Sequence, residues 1–124
     1  MIDFLEIIHN SGLVFNDLKP DNIVLTSPND LNFVNSYQNL TANDKNIINF
    51  YEFSENVQFS LVDFGLCSRW MSEETGSHLQ RKRIAYFVGN LYYSSVNQLQ
   101  SMTSSRRDDL HSLAYLLANL LNHN

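Results

Sequence analysis

The chain has 124 residues, 44% of them hydrophobic, and a formal net charge of -5 at neutral pH. This length supports one domain with a single core. The acidic balance provides no basic field for nucleic acid, no apolar run approaches the length of a membrane span, and Asp3 and Glu6 make the first ten residues unlike a signal peptide. We therefore expect a cytoplasmic or nuclear protein with neither nucleic acid nor a membrane as its partner. The single cysteine, Cys67, excludes an intramolecular disulfide.

The first predicted element is a helix over residues 2 to 10, in which Ile2, Leu5 and Ile8 form an apolar stripe that ends before Gly12. A polar loop, FNDLKPDN, follows at residues 15 to 22. Pro20 stiffens this loop, because it fixes its own φ and moves the preceding residue out of the helical region. The run IVL at 23 to 25 is β-branched and apolar, which predicts a buried strand.

Residues 26 to 57 are rich in Asn, Ser and Asp, with aromatic residues between them. The aromatic residues argue against full disorder, so we expect a partly ordered insertion with a short helix near 43 to 52. It is either a loop that packs on its own domain or a docking surface. Residues 57 to 62 then alternate and become apolar, as a strand that leads to Asp63 should. From Asp108 onward, leucines at helical spacing predict a helix over 108 to 122.

Two of these segments together carry a catalytic pattern. Phosphoryl transfer needs a carboxylate that orients the attacking hydroxyl, a cation on the transferred phosphate, and oxygen ligands for Mg²⁺. Asp17 and Lys19 supply the first two, and Asn22 and Asp63 supply the ligands. D-x-K-x-x-N followed about forty residues later by D-F-G is the signature of eukaryotic protein kinases. A polar turn before a strand would explain the first motif alone, but it does not require the second.

The later part of the chain resembles one kinase family more closely. Residues 95 to 97, Ser-Val-Asn, nearly reproduce the Ser-Ile-Asn that the casein kinase I family carries where most kinases have Ala-Pro-Glu. Residues 105 to 115, SRRDDLHSLAY, match the family's S-R-R-D-D-L-x-S-L-x-Y run. The distance between the two motifs also agrees without a gap. The chain therefore resembles the casein kinase I family over nearly all its length outside the insertion.

Several positions differ from the family pattern. Phe15 and Asn16 stand where the family has His-Arg before the catalytic Asp. We expect Phe15 to pack on Phe64 as an aromatic replacement for the His. Asn16 lacks the positive charge with which the Arg ties the catalytic loop to the activation segment. Asn90 replaces a Thr that contacts the catalytic Asp and Lys, and Tyr92 replaces an anion-binding Arg. Because Tyr92 cannot bind an anion as that Arg does, selectivity for phosphate-primed substrates is not expected at this position.

The basic run at 81 to 83 is either a substitute anion site or a solvated loop. Trp70 is expected to anchor the activation segment, and Asp109 to cap its helix and, by the resemblance, to hold the backbone of the catalytic loop. The histidines are scattered without the spacing of a zinc site, and we expect them to be structural or exposed.

The resemblance implies an α+β fold: the large lobe of a protein kinase, mainly helical with a small β-hairpin. No closely spaced glycines and no strand lysine precede the catalytic loop, so the small lobe and the terminal helices are expected to be absent from this partial domain. Its expected parts are the helix before the catalytic loop (1–11), the catalytic loop and strand (12–25), the insertion (26–57), the strand with D-F-G (58–65), the activation segment (66–97) and the central helix (108–122).

The activity that the resemblance implies is Ser/Thr protein phosphorylation with ATP and Mg²⁺, in which Val24 forms the floor of the adenine site and Lys19, Asn22 and Asp63 hold the phosphates and metal. One alternative is a non-catalytic kinase fragment or pseudokinase that acts as a binding module. Another is a small-molecule phosphotransferase of kinase-like fold. Activity of the 124 residues alone is not expected, and an uncovered central helix would favour self-association or a partner protein.

Overall fold

A computed structural model of the chain describes residues 1–26 and 58–122. In chain order, these residues form helix α1 (Ile2–Asn10), strand β1 (Leu13–Val14), a 3-10 turn (Pro20–Asn22), strands β2 (Ile23–Thr26), β3 (Gln58–Leu61) and β4 (Ser68–Arg69), and helices α2 (Val96–Leu99) and α3 (Arg106–Asn122). The predicted helix over 2 to 10 is confirmed, and the strands predicted at 23 to 25 and 57 to 62 are present as Ile23–Thr26 and Gln58–Leu61, with Val57 outside the described residues. The insertion, with its predicted short helix, lies outside the described residues apart from Thr26, the last residue of β2.

The strands form two small sheets. β2 pairs with β3, as the expected hairpin requires. β1 pairs antiparallel with β4, with Leu13 opposite Arg69 and Val14 opposite Ser68. The second pairing joins the segment before the catalytic loop to the segment after D-F-G, although neither two-residue strand is visible in the sequence pattern.

The chain divides into two compact units, Met1–Ile23 with Leu61–Asn124, and Val24–Ser60. The first unit contains α1, α2, α3 and the catalytic-loop motif. Its core is built from buried apolar side chains on α1, the catalytic loop, β3 and α3: Leu5, Phe15, Leu18, Leu61, Leu113 and Leu116. Full burial of each such side chain stabilises the fold by about 1.5 to 3 kcal/mol. The core therefore fixes the catalytic loop between α1 and α3.

The start of α3 differs from the prediction. The helix begins at Arg106 because the Asp108 carboxylate accepts hydrogen bonds from the backbone N and the Oγ of Ser105, at 2.7 and 3.3 Å. This carboxylate satisfies a helix-end amide that would otherwise lack a partner. The prediction that Asp109 caps the helix is wrong, because its carboxylate accepts bonds from the catalytic loop instead.

The longest helix in the described part of the chain is α3, with 17 residues. Neither it nor the other described helices combine the length and apolar character that crossing a membrane requires.

Candidate active site

Asp17 lies at the centre of a cluster of polar side chains. Lys19 Nζ is 2.8 Å from Asp17 Oδ2, and Asn22 Nδ2 donates to the same oxygen and to the Asp17 backbone O, each at 2.9 Å. On the other side, Asn90 Nδ2 donates to Asp17 Oδ1 at 3.1 Å. The structure thus brings together three of the residues that the motif singled out, and adds Asn90 from the far end of the activation segment.

The cluster determines the charge state of its centre. Burial alone would raise the pKa of Asp17, but hydrogen bonds from Lys19, Asn90 and Asn22 outweigh it and hold the pKa below its ordinary value. The contact between Lys19 and the Asp17 carboxylate raises the pKa of Lys19. The negative charges of Asp21 and Asp63 raise it further. At neutral pH, Asp17 is therefore an ionised acceptor beside a fixed cation.

The backbone before Asp17 is held by the carboxylate of Asp109, which is fully buried on α3. Its oxygens accept hydrogen bonds from the backbone N of Phe15 and of Asn16, each at 2.8 Å, and His9 Nε2 lies 2.8 Å from Oδ2. The expected hold of Asp109 on the catalytic loop is confirmed. His9 is structural, as expected, because it joins α1 to the same carboxylate.

Asn16 ties the catalytic loop to the start of the activation segment without a charge. Its Nδ2 donates to Leu66 O and to Ser68 Oγ, each at 2.8 Å, and its backbone O accepts from Gln98 Nε2 of α2 at 3.2 Å. Its φ of 69° is positive, a conformation that Asn tolerates better than most residues do. The missing charge is visible in the sequence, whereas these neutral bonds depend on residues 50 or more positions away.

Gly89 allows the activation segment to approach the catalytic loop closely at Asn16. A Cβ on Gly89 would lie 2.4 Å from Ser94 Oγ and 3.1 Å from Asn16 O, and its φ is 130°. Only glycine fits this close approach between the catalytic loop and the activation segment. The side chain of the next residue, Asn90, can therefore reach Asp17.

Asp63 lies two residues after the end of β3 and has a positive φ of 61°. The backbone N of Val62 donates to Asn22 O at 3.0 Å, so the chain positions Asp63 beside the catalytic loop. Gly65 N donates to Asp63 Oδ1 at 3.2 Å. Phe64 packs edge-on against Phe15 with ring centroids 5.3 Å apart, and this confirms the predicted aromatic pair.

Val24 lies on β2 and is 40% exposed. It belongs to the second unit of the chain, Val24–Ser60. Its role at the adenine remains a prediction.

Trp70 anchors the activation segment to α1 and α3. Its Nε1 donates to His9 O at 2.9 Å, and its backbone N donates to Gly12 O at 3.1 Å. The guanidinium of Arg106 lies 3.8 Å from the centroid of the indole ring. The anchoring role expected from the sequence is confirmed.

The comparisons with known proteins agree with this geometry. A model of the protein kinase domain matches residues 1–124. The chain is 34% identical over 121 residues to the casein kinase 1-like protein HD16 of Oryza sativa, which covers 97% of the chain and 14% of that protein. It is 30% identical over 118 residues to casein kinase I homolog 3 of Saccharomyces cerevisiae. This alignment covers 94% of the chain and 21% of the yeast protein.

A casein kinase I homologue of Encephalitozoon cuniculi is 29% identical over 117 residues, which covers 94% of the chain and 28% of that protein. The chain therefore spans about 14 to 28% of the length of these relatives. The motifs that suggested the family and the match over the full chain lead to one conclusion: this chain belongs to the protein kinase domain family and is casein kinase I-like.

Proposed function

We propose that this chain forms the large-lobe part of a Ser/Thr protein kinase of the casein kinase I type, which transfers the γ-phosphate of ATP to a Ser or Thr hydroxyl of a protein. The observation that carries the proposal is the Asp17 cluster, in which a buried carboxylate, a lysine and two amides converge within 3.1 Å. Phosphoryl transfer depends mainly on positioning and electrostatic stabilisation, and this cluster provides both.

Asp17 is the residue that orients the attacking hydroxyl. Its carboxylate is ionised and fixed, so it accepts the hydrogen bond of the hydroxyl and takes the proton as the new bond to phosphorus forms. Lys19 Nζ lies next to Asp17 Oδ2, and its positive charge stabilises the transferred phosphate. Asn90 holds the other carboxylate oxygen and so limits the rotation of Asp17.

The residues present fit Mg²⁺ and ATP. Asn22 donates its amide N–H groups to Asp17, so its Oδ1 is the atom available as a ligand, and the Asp63 carboxylate is the second hard oxygen donor. When bound, Mg²⁺ neutralises charge on the phosphates. In this proposal Val24 is the floor of the adenine site. The described residues hold no group of three or more His, Cys, Asp or Glu side chains that suits a metal. ATP oxygens would supply further ligands to a bound Mg²⁺.

The test is phosphorylation of a degenerate Ser/Thr peptide mixture by the longest natural form of the protein. Asp17→Asn and Asp63→Asn should each lower turnover at least a hundredfold while the protein remains folded. Glu74→Gln, which removes an exposed charge from the activation segment, is the matched control and should retain turnover. Near-normal activity of a folded Asp17→Asn protein would refute the role of this residue.

A second candidate is a non-catalytic module that binds partners. One observation favours it: hydrogen bonds within the chain already engage both carboxylate oxygens of Asp17. Turnover by the wild type that is lost in Asp63→Asn would exclude this candidate. Metal-dependent ATP binding without any turnover would support it.

A further inference from the structure

A groove with a volume of about 420 Å³ lies between the activation segment and the start of α3. It is lined by Arg69, residues 78–82, residues 103–105 and Arg107. None of the residues proposed to act on ATP or the hydroxyl lines it. Tyr92, which stands where the family carries an anion-binding Arg, does not line it either. The groove is therefore separate from the Asp17 cluster.

The groove concentrates positive charge in an acidic chain. The sequence contains eight Lys and Arg against thirteen Asp and Glu, and four of the eight, Arg69, Arg81, Lys82 and Arg107, line this groove. Among the lining residues that the structure describes there is no Asp or Glu. The nearest acidic partners are Glu73, paired with Arg69, and Asp108, whose Oδ2 is 3.8 Å from Arg107 Nε.

Hydrogen bonds hold the two walls of the groove together. Lys82 N donates to Thr103 Oγ1 at 3.0 Å, and Thr103 N donates to Lys82 O at 2.9 Å. Arg81 Nε donates to Asn97 Oδ1 at 2.9 Å. This bond fixes the guanidinium through Nε alone, so the N–H groups of Nη1 and Nη2 remain to donate to a ligand. The backbone of Lys82 and the guanidinium of Arg81 are thus positioned before a ligand arrives.

We propose that this groove binds the phosphoryl group of a phosphoserine or phosphothreonine in a partner protein. A phosphoryl dianion offers three acceptor oxygens, which arginine forks and serine or threonine hydroxyls match. Long polyanions fit poorly, because the net charge of the chain is -5 and the basic surface is confined to one groove.

The groove has room for more than a single phosphoryl group. Its volume lies in the range of pockets that enclose small organic ligands and is several times that of a phosphate ion. Leu79, which is 42% exposed, lines the same groove and offers an apolar contact to a neighbouring residue of the peptide. The site is thus a docking site for phosphorylated protein segments, separate from the Asp17 cluster.

The test uses the whole chain without ATP, so its outcome does not depend on the proposed kinase activity. Trp70 is the single tryptophan, and its ring centroid lies 5.4 Å from that of His78 in the groove, so its fluorescence reports binding. A degenerate phosphoserine peptide mixture should change this fluorescence saturably, and the unphosphorylated mixture should not. Lys82→Gln/Arg107→Gln should weaken binding at least tenfold. The matched control Arg83→Gln, a cation outside the groove, should weaken it less than threefold.

Amide chemical shifts provide a second measurement that is independent of the variants. The phosphopeptide should shift the amides of residues 78–82 and 103–107, and shifts confined to other regions would overturn the proposal. Equal binding of the unphosphorylated mixture, or of the double variant and wild type, would also overturn it. Inorganic phosphate binding as tightly as the peptide would identify a site for the free ion only. A single-stranded oligonucleotide that binds more tightly than the phosphopeptide would assign the groove to nucleic acid instead.

Discussion

Asp17 shows at the scale of one residue why motif and geometry carry different information. The spacing D-x-K-x-x-N identified Asp17, Lys19 and Asn22, because all three lie within one short loop that Pro20 stiffens. The family resemblance identified the position of Asn90 but not the atoms it joins. Its bond to Asp17 spans 73 residues of sequence and requires the close approach at Gly89, which no local pattern encodes.

The first residue-scale prediction concerns this long-range bond. Asn90→Ala removes one hydrogen bond to an ionised carboxylate, so Asp17 loses part of its orientation. We expect turnover in a peptide phosphorylation assay to fall about tenfold, which corresponds to about 1.4 kcal/mol of transition-state stabilisation. Asn90→Thr, which introduces the residue of the family, should retain most of the activity. Equal turnover of wild type and Asn90→Ala would show that Asn90 does not position Asp17.

The second prediction concerns pH. Because hydrogen bonds hold the folded pKa of Asp17 below its ordinary value, the ionised side chain contributes stability that is fully present above that ordinary value. This contribution is lost as the pH falls through the lower, folded pKa. The difference in unfolding free energy between wild type and Asp17→Asn should therefore be constant from about pH 5 to 8 and shrink below about pH 4. Urea unfolding at each pH measures it, and a difference that grows on acidification would contradict the direction of the shift.

At the scale of elements, the catalytic loop is held by one buried carboxylate on α3. Asp109→Ala leaves the backbone N–H groups of Phe15 and Asn16 buried without their acceptor. Each unsatisfied group costs about 1 to 3 kcal/mol, so we expect a loss of about 3 kcal/mol in the free energy of unfolding. Denaturant unfolding tests this, with Glu74→Ala as an exposed acidic control. A loss of less than about 1 kcal/mol would mean that the loop does not depend on Asp109.

The neutral tie made by Asn16 gives another prediction at this scale. Asn16→Gly keeps the positive φ and the backbone bonds, but removes both side-chain bonds to Leu66 and Ser68. Loss of about 1 to 2 kcal/mol should make local opening of the activation segment about tenfold more frequent. Limited trypsin digestion should then cut after residues 81 to 83 correspondingly faster. Ser68→Ala, which removes one acceptor, should have a smaller effect, and an unchanged cleavage rate in Asn16→Gly would disprove the tie.

The elements that the sequence predicted well are those with a local cause. The stripe of Ile2, Leu5 and Ile8 with Gly12 after it was sufficient for α1. The start of α3 was placed two residues late, because the sequence does not show which of two adjacent aspartates caps the helix and which turns to the loop. The pairing of β1 with β4 depends on tertiary contacts alone.

Helix α3 has one buried and one exposed apolar face. Leu113 and Leu116 are 6% and 2% exposed, whereas Leu117 and Leu121 are 50% and 82% exposed. The buried pair belongs to the core that holds the catalytic loop, and the exposed pair contributes nothing to that core. An exposed apolar stripe of this kind favours association with another apolar surface.

The last prediction follows from this division. The 124-residue chain should self-associate at high concentration, and Leu117→Ser/Leu121→Ser should shift its sedimentation toward the monomer. Thermal unfolding should change little, because substitutions of exposed side chains usually alter stability by less than about 0.5 kcal/mol. Leu116→Ala is the contrasting control, since removal of a buried leucine costs about 2 to 5 kcal/mol and should lower the unfolding temperature. A wild type that sediments as a monomer at every concentration, or a double variant that associates as strongly as wild type, would show that this face of α3 does not drive association.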